Sequence, residues 1–144
     1  MEAKRVRLYF PAIVAAVVAC FVFEAVWYGY FLDIWLRSNG HDRAWLETTK
    51  GIVGLQWGAA VLAEAVMAIS ICWVTQLTGP QTALRGMRVG ALLWLGLVFT
   101  TSAVRVVFVL GSYQSFAIDA GFWLIGMAIM GAIVGGRKKR VIAQ

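Results

Sequence analysis

Four ionisable residues stand inside long apolar runs of this sequence: Glu24, Glu64, Arg105 and Asp119. A charge at the centre of a bilayer costs about 2.5–3.5 kcal/mol on insertion scales, so each should face protein or water and find a partner. Such a set can pair and position helices, or it can bind or conduct a proton, a cation or a small amphipathic solute. Three acids face one base, so at least one carboxyl lacks a cationic partner. Glu64, set among Ala60, Val61, Met67 and Ala68, is the one expected to be uncharged.

Helical spacing arranges these groups. Glu24 shares a face with Cys20, Tyr28 and Phe31, Arg105 with Trp94, Val98 and Thr101, and Asp119 with Trp123, Gly126 and Met130. Counted at ~1.5 Å per residue, Asp119 and Arg105 lie within ~8 Å of the outer boundary, Glu24 at ~11 Å and Glu64 at ~18 Å. An intramembrane polar cluster of Glu24, Tyr28, Glu64, Arg105, Asp119 and Trp123 is therefore expected, with Gln56 and Trp57 contributed by a second helix. The plainer arrangement, favoured over a ligand pocket, has Arg105 snorkelling to the interface or paired with Asp119 as a salt bridge that positions helices.

Nothing in the chain reads as catalytic machinery. There is no nucleophile–base pair, Gly-rich phosphate loop or Cys/His cluster. His41 is the only histidine, which argues against a His-based metal site. Cys20 and Cys72 fall at different membrane depths, which argues against a disulfide. No catalytic, cofactor-binding or metal-binding residue is expected, and the chain is expected not to be an enzyme.

The elements that must hold these groups follow from composition. The chain has 144 residues, is 61% hydrophobic and only 14% charged, and its mean hydropathy is +0.78. Soluble domains are about a quarter charged. Four apolar stretches, about 8–32, 52–77, 89–110 and 116–134, each reach the ~20 residues that cross a ~30 Å hydrocarbon core as a helix. Strict alternation is absent, so a transmembrane barrel is not supported. The expected fold is all-α, one transmembrane domain over 1–144 built as a four-helix bundle. The first stretch is too long for a signal peptide and lacks a small-x-small cleavage site, so it reads as a retained span.

Charge sets the orientation. The formal net charge is +6, and seven of the 13 basic residues are Lys4, Arg5, Arg7, Arg137, Lys138, Lys139 and Arg140. Basic ends flanking apolar runs follow the positive-inside rule and argue against nucleic-acid binding. The 78–88 loop is basic too, whereas the 33–50 loop is balanced and 111–115 carries no charge. Both termini are thus expected in the cytoplasm, in the cell's inner membrane. Within the outer loop 33–50, Trp35, Leu36, Trp45 and Leu46 suggest a short interfacial helix, and Ser38-Asn39-Gly40-His41 a turn.

Small residues recur four apart as Gly54 and Gly58, Gly86 and Gly90, and Gly131 and Gly135. In lipid, such faces let backbones approach closely. Packing within one chain is favoured over a homodimer face.

Several of these residues also form a pattern. Trp27-Tyr28 closes the first span, Trp35 follows, and Leu93-Trp94-Leu95-Gly96 lies in the third span. Ile118-Asp119-Ala120-Gly121-Phe122-Trp123-Leu124 and Gly131-Ala132-Ile133 lie in the fourth. From about Val14 to Gly135 the chain resembles the small bacterial membrane proteins grouped as domain of unknown function 1761. The resemblance implies four spans and carries over no catalytic residue; Trp27, Tyr28, Trp94 and Asp119 are positions that match its motif. One departure is Glu24, where that family usually has a small residue. The expected role is a non-enzymatic accessory or interaction subunit, or a homo-oligomer, whose partners are the bilayer and other membrane proteins. The alternative is a carrier or channel using Glu24, Glu64, Arg105 and Asp119.

Overall fold

A computed structural model describes residues 8–137, which are helical apart from short connections, with no strand among them. The basic residues Lys4, Arg5, Arg7, Lys138, Lys139 and Arg140 lie outside the described residues. The helices are α1 (Phe10–Ser38), α2 (Arg43–Thr48), α3 (Val53–Thr78), α4 (Ala83–Leu93), α5 (Thr100–Phe108) and α6 (Tyr113–Gly136). A 3-10 turn, Lys50–Ile52, leads into α3, and a π-helical segment, Trp94–Phe99, joins α4 to α5 without a break. Four helical stretches are long and apolar enough to cross a membrane: Phe10–Ser38, Lys50–Thr78, Ala83–Phe108 and Tyr113–Gly136.

Local chemistry sets the boundaries. α1 begins at Pro11, whose missing N–H costs nothing in a first turn. It continues past Leu32 because no breaker occurs before Asn39-Gly40. Its 29 residues extend about 43 Å, well beyond a hydrocarbon core. Trp35 and Leu36, expected in a separate interfacial helix, therefore belong to the last turn of α1. There Gly40, at φ +74, closes the helix, with the His41 N–H donating to the Leu36 carbonyl at 2.9 Å. Asp42, Thr82 and Ser112 cap α2, α4 and α6 by accepting the backbone N–H three residues on. The third span starts at Ala83 rather than Val89, since Thr82 supplies the cap and Arg85 and Arg88 lie in its first two turns.

α5 ends differently. Leu110 adopts a left-handed φ of +50, and the Gly111 N–H donates to the Val106 carbonyl at 3.0 Å. Glycine is the residue this position favours, yet it falls one place later.

α6 is the centre of the bundle and packs against α1, α3, α4 and α5. It runs antiparallel to α1: Arg137 sits over the Tyr9 ring at one end, and the other end of α1 meets the start of α6. We call the first the terminal end and the second the distal end. The core occupies the middle and the terminal half, where Ala16 and Cys20 of α1 meet Ala68 and Ile71 of α3 and Met130 and Val134 of α6.

The glycine pairs divide. A Cβ on Gly86 would overlap the Gly131 carbonyl, one on Gly90 the Met127 carbonyl, and one on Gly131 the Gly86 carbonyl. A Cβ on Gly135 would stand 2.6 Å from the Thr82 carbonyl oxygen. Gly86, Gly90, Gly131 and Gly135 thus bring the α4 and α6 backbones into contact within one chain. Gly54 and Gly58 meet no other helix of this chain: a Cβ at either would meet nothing within 4 Å. The four-residue spacing is common to all three pairs, but the first lies on an outward face of α3.

Candidate functional site

The site is built on one turn of α6 whose residues receive donors from two other helices. The Trp27 indole of α1 donates to the Ile118 carbonyl at 3.1 Å, and the Trp94 indole donates to the Ala120 carbonyl at 3.0 Å. Between them, Asp119 Oδ1 accepts the Tyr28 hydroxyl at 2.7 Å and the Trp35 indole at 3.0 Å. Gly121 makes the arrangement possible, because a Cβ there would come 3.2 Å from the Trp27 ring. Phe122 is fully buried next to them, stacked on Phe23 with ring centroids 5.7 Å apart. Aromatic N–H and O–H groups need partners when they leave water, and α6 supplies all four.

Asn39 completes the distal end. Its side-chain amide donates to the Ser115 hydroxyl at 2.9 Å and to the Trp35 carbonyl at 2.7 Å, tying the end of α1 to the start of α6.

Above the core, α5 stands away from the bundle. None of its residues is buried, and it packs chiefly on α6 and on the π-helical segment. The gap is a cleft of about 520 Å³. Its α6 wall includes Phe116, Asp119 and Trp123, its α1 wall Tyr28 and Trp35, and its α5 wall Ser102, Arg105 and Val106. Arg105 and Asp119 both face this cleft, and the guanidinium acts electrostatically on the carboxylate. They do not come within ion-pair distance, so the salt bridge, one of the two arrangements expected for Arg105, is absent, and Arg105 is exposed. Among the described residues the ion pairs are Arg43–Asp33 and Lys50–Glu47, both at the distal surface. Asp119 instead spends Oδ1 on two neutral donors from α1.

One expectation is displaced: of Thr101 and Ser102, both within one turn of Arg105, it is Ser102 that lines the cleft with it. Thr101 instead bonds back to the Leu97 carbonyl of its own helix.

The expected polar cluster thus separates into two groups. Tyr28, Arg105, Asp119 and Trp123 line the cleft. Glu24 and Glu64 do not; they lie deeper, beside Cys20, near enough to act electrostatically on one another. Glu64 is 1% exposed, and its carboxyl interacts with the Cys20 thiol without a well-formed hydrogen bond; Glu24 Oε2 is buried without a partner. The Cys20 thiol rests on Gly126, where a Cβ would stand 3.0 Å from the sulfur. Gln56 and Trp57 are not part of the cleft; Trp57 is exposed and packs edge-on to Phe21, 5.1 Å between centroids. Trp35, Asn39, Ser102 and Ser115 are cleft residues that span counting did not single out. Their common signal is position, within one turn of a helix end or of Arg105.

The chain belongs to the family described as Protein of unknown function (DUF1761), whose model matches residues 11–135. No curated protein and no solved structure matches it. The residues that carry the resemblance, Trp27, Tyr28, Trp35, Trp94 and Asp119, are those that make the donor network on α6.

Proposed function

We propose that the chain is a small non-enzymatic protein of the cell's inner membrane whose distal cleft, facing outward, holds a small amphipathic solute. One observation carries this reading: Arg105 and Asp119, of opposite charge, share a cleft without pairing. A purely structural pair would close, since an uncompensated charge at this depth is costly. An open cleft with both charges and aromatic walls has the size and lining of a ligand pocket, ~300–1,000 Å³ with a few placed polar groups. Such a protein serves as a binding subunit, alone as an oligomer or within a larger membrane complex.

The test is direct. Protein purified in mild non-ionic detergent should carry a stoichiometric small amphiphile on extraction and mass analysis. The cleft-filling variant Ser102→Phe should have lost it while keeping its melting profile. Equal retention by both forms would overturn the reading.

A second reading, a carrier for protons or cations, is supported by a different observation. Cys20, Glu24 and Tyr28 lie four residues apart on one face of α1 and lead from buried Glu64 toward Asp119 and the cleft. It requires that proteoliposomes show a flux that Glu64→Gln abolishes.

A further inference from the structure

The cleft presents its two charges at separate stations, and each station has its own chemistry. On the α5 wall, Ser102 and Arg105 stand three residues apart on one helical face. Neither the Ser102 hydroxyl nor the Arg105 guanidinium makes a hydrogen bond or ion pair among the described residues. A guanidinium offers five N–H donors in a fixed fork and keeps its charge at any accessible pH. With a hydroxyl one turn away, it forms a donor set suited to a phosphate ester.

The opposite wall is the reverse. Asp119 is held in place by Tyr28 and Trp35, and Trp123 lines the cleft beside it. A fixed carboxylate bordered by electron-rich rings attracts an ammonium group, by charge and by the ring quadrupoles together. Arg105 disfavours a ligand that is only cationic, and Asp119 one that is only anionic. Val106 and Val109 continue the α5 wall beyond Arg105 as an apolar lining, and Val109 is itself exposed, so a tail can leave along them.

We propose that the ligand is a zwitterionic phospho-amphiphile, its phosphate on Arg105 and Ser102 and its ammonium against Asp119 and the rings of Trp35 and Trp123. This rests on the reading of the cleft as a binding site and adds the headgroup chemistry. Span counting sets Arg105 and Asp119 within ~8 Å of the outer boundary, within reach of a lipid headgroup, so the proposed source is a membrane lipid. A soluble phosphate ester carrying an amine shares the chemistry, and the test separates the two.

The experiment uses the full chain in non-ionic detergent micelles, titrated with short-chain phosphatidylethanolamine, phosphatidylcholine and phosphatidylglycerol of identical tails. Free phosphoethanolamine and a phosphate-free glycolipid are the controls, and bound ligand is counted by native mass spectrometry. Both zwitterionic lipids should bind about tenfold more tightly than phosphatidylglycerol, a difference of ~1.4 kcal/mol. The glycolipid should bind most weakly. Arg105→Gln should lower affinity for all three phospholipids about tenfold, and Arg105→Lys should restore part of it. Asp119→Asn should erase the preference for zwitterions, lowering their affinity and raising that of phosphatidylglycerol.

The wild-type series decides the matter even if a variant fails to fold. Equal binding of phosphatidylglycerol, the zwitterions and the glycolipid, all blocked by Ser102→Phe, would overturn the headgroup assignment and leave the cleft as a binding site. Binding of every lipid unaffected by Ser102→Phe would overturn the cleft reading itself. Free phosphoethanolamine binding as tightly as the lipid would overturn the membrane-lipid source.

Discussion

Tyr28 and Asp119 are 91 residues apart in sequence and joined by a hydrogen bond of 2.7 Å from the phenol to the carboxylate. The bond fixes α1 against the first turns of α6, and the Trp35 indole on the same oxygen makes the attachment two-pointed. Hydrogen bonds to charged groups contribute about 1.5–3 kcal/mol each to stability. Tyr28→Phe should therefore destabilise the protein by roughly that amount, about 1.5–3 kcal/mol. The measurement is a denaturation profile in detergent, and an unchanged profile would mean that the bond does not persist.

Arg105 should behave quite differently. Because it has no ion-pair partner, Arg105→Gln should change stability by less than about 1 kcal/mol, the range of exposed pairs. A double-mutant cycle with Asp119→Asn should give a correspondingly small coupling. A buried ion pair would instead cost about 3–5 kcal/mol on losing either partner. Coupling of that size would contradict the open geometry of the cleft.

The glycines offer an internal control. Gly86→Ala and Gly131→Ala place a Cβ into a facing carbonyl and should cost about 1–3 kcal/mol or more as α4 and α6 separate. Gly54→Ala and Gly58→Ala meet open space and should be neutral or stabilising by up to ~1 kcal/mol, the helix-propensity gain. Melting temperatures of the four variants in one detergent test the contrast.

Leu110→Gly removes a left-handed backbone conformation that costs a β-carbon-bearing residue about 1–2 kcal/mol. Leu110 is 92% exposed, so little packing is lost with its side chain. The variant should be more stable by about 1 kcal/mol in detergent. A loss of stability there would show that the leucine makes contacts beyond this chain.

The sequence makes the four spans legible because each is a long apolar run, and helix period alone puts Cys20, Glu24 and Tyr28 on one face. Their ends were less legible. A charged residue, Asp33, marks the edge of an apolar run but does not stop a helix, which ends only at Asn39-Gly40. The cleft was half visible. Tyr28, Arg105, Asp119 and Trp123 could be named from depth and face. Ser102 could not, because it and Thr101 both lie within one turn of Arg105 and helical spacing alone does not decide which of them faces the cleft. Glu24 and Glu64 sit below the cleft; span counting places both deeper than Arg105 and Asp119 but does not say where the cleft ends. Nor can a glycine repeat say which face it lies on: Gly131 and Gly54 have the same spacing and opposite surroundings.

The outward-facing, ligand-accepting cleft proposed between α5 and α6 can be probed at Ser102. A single cysteine at Ser102, in a chain whose Cys20 and Cys72 have been replaced, reports on it directly. Its rate of modification by a membrane-impermeant thiol reagent is measured in intact cells, and again in detergent with and without a zwitterionic phospholipid. Labelling from outside is expected in cells, and slower labelling in detergent when the lipid is present. A thiol that reacts only after the cells are opened, or at the same rate with lipid as without, would contradict it.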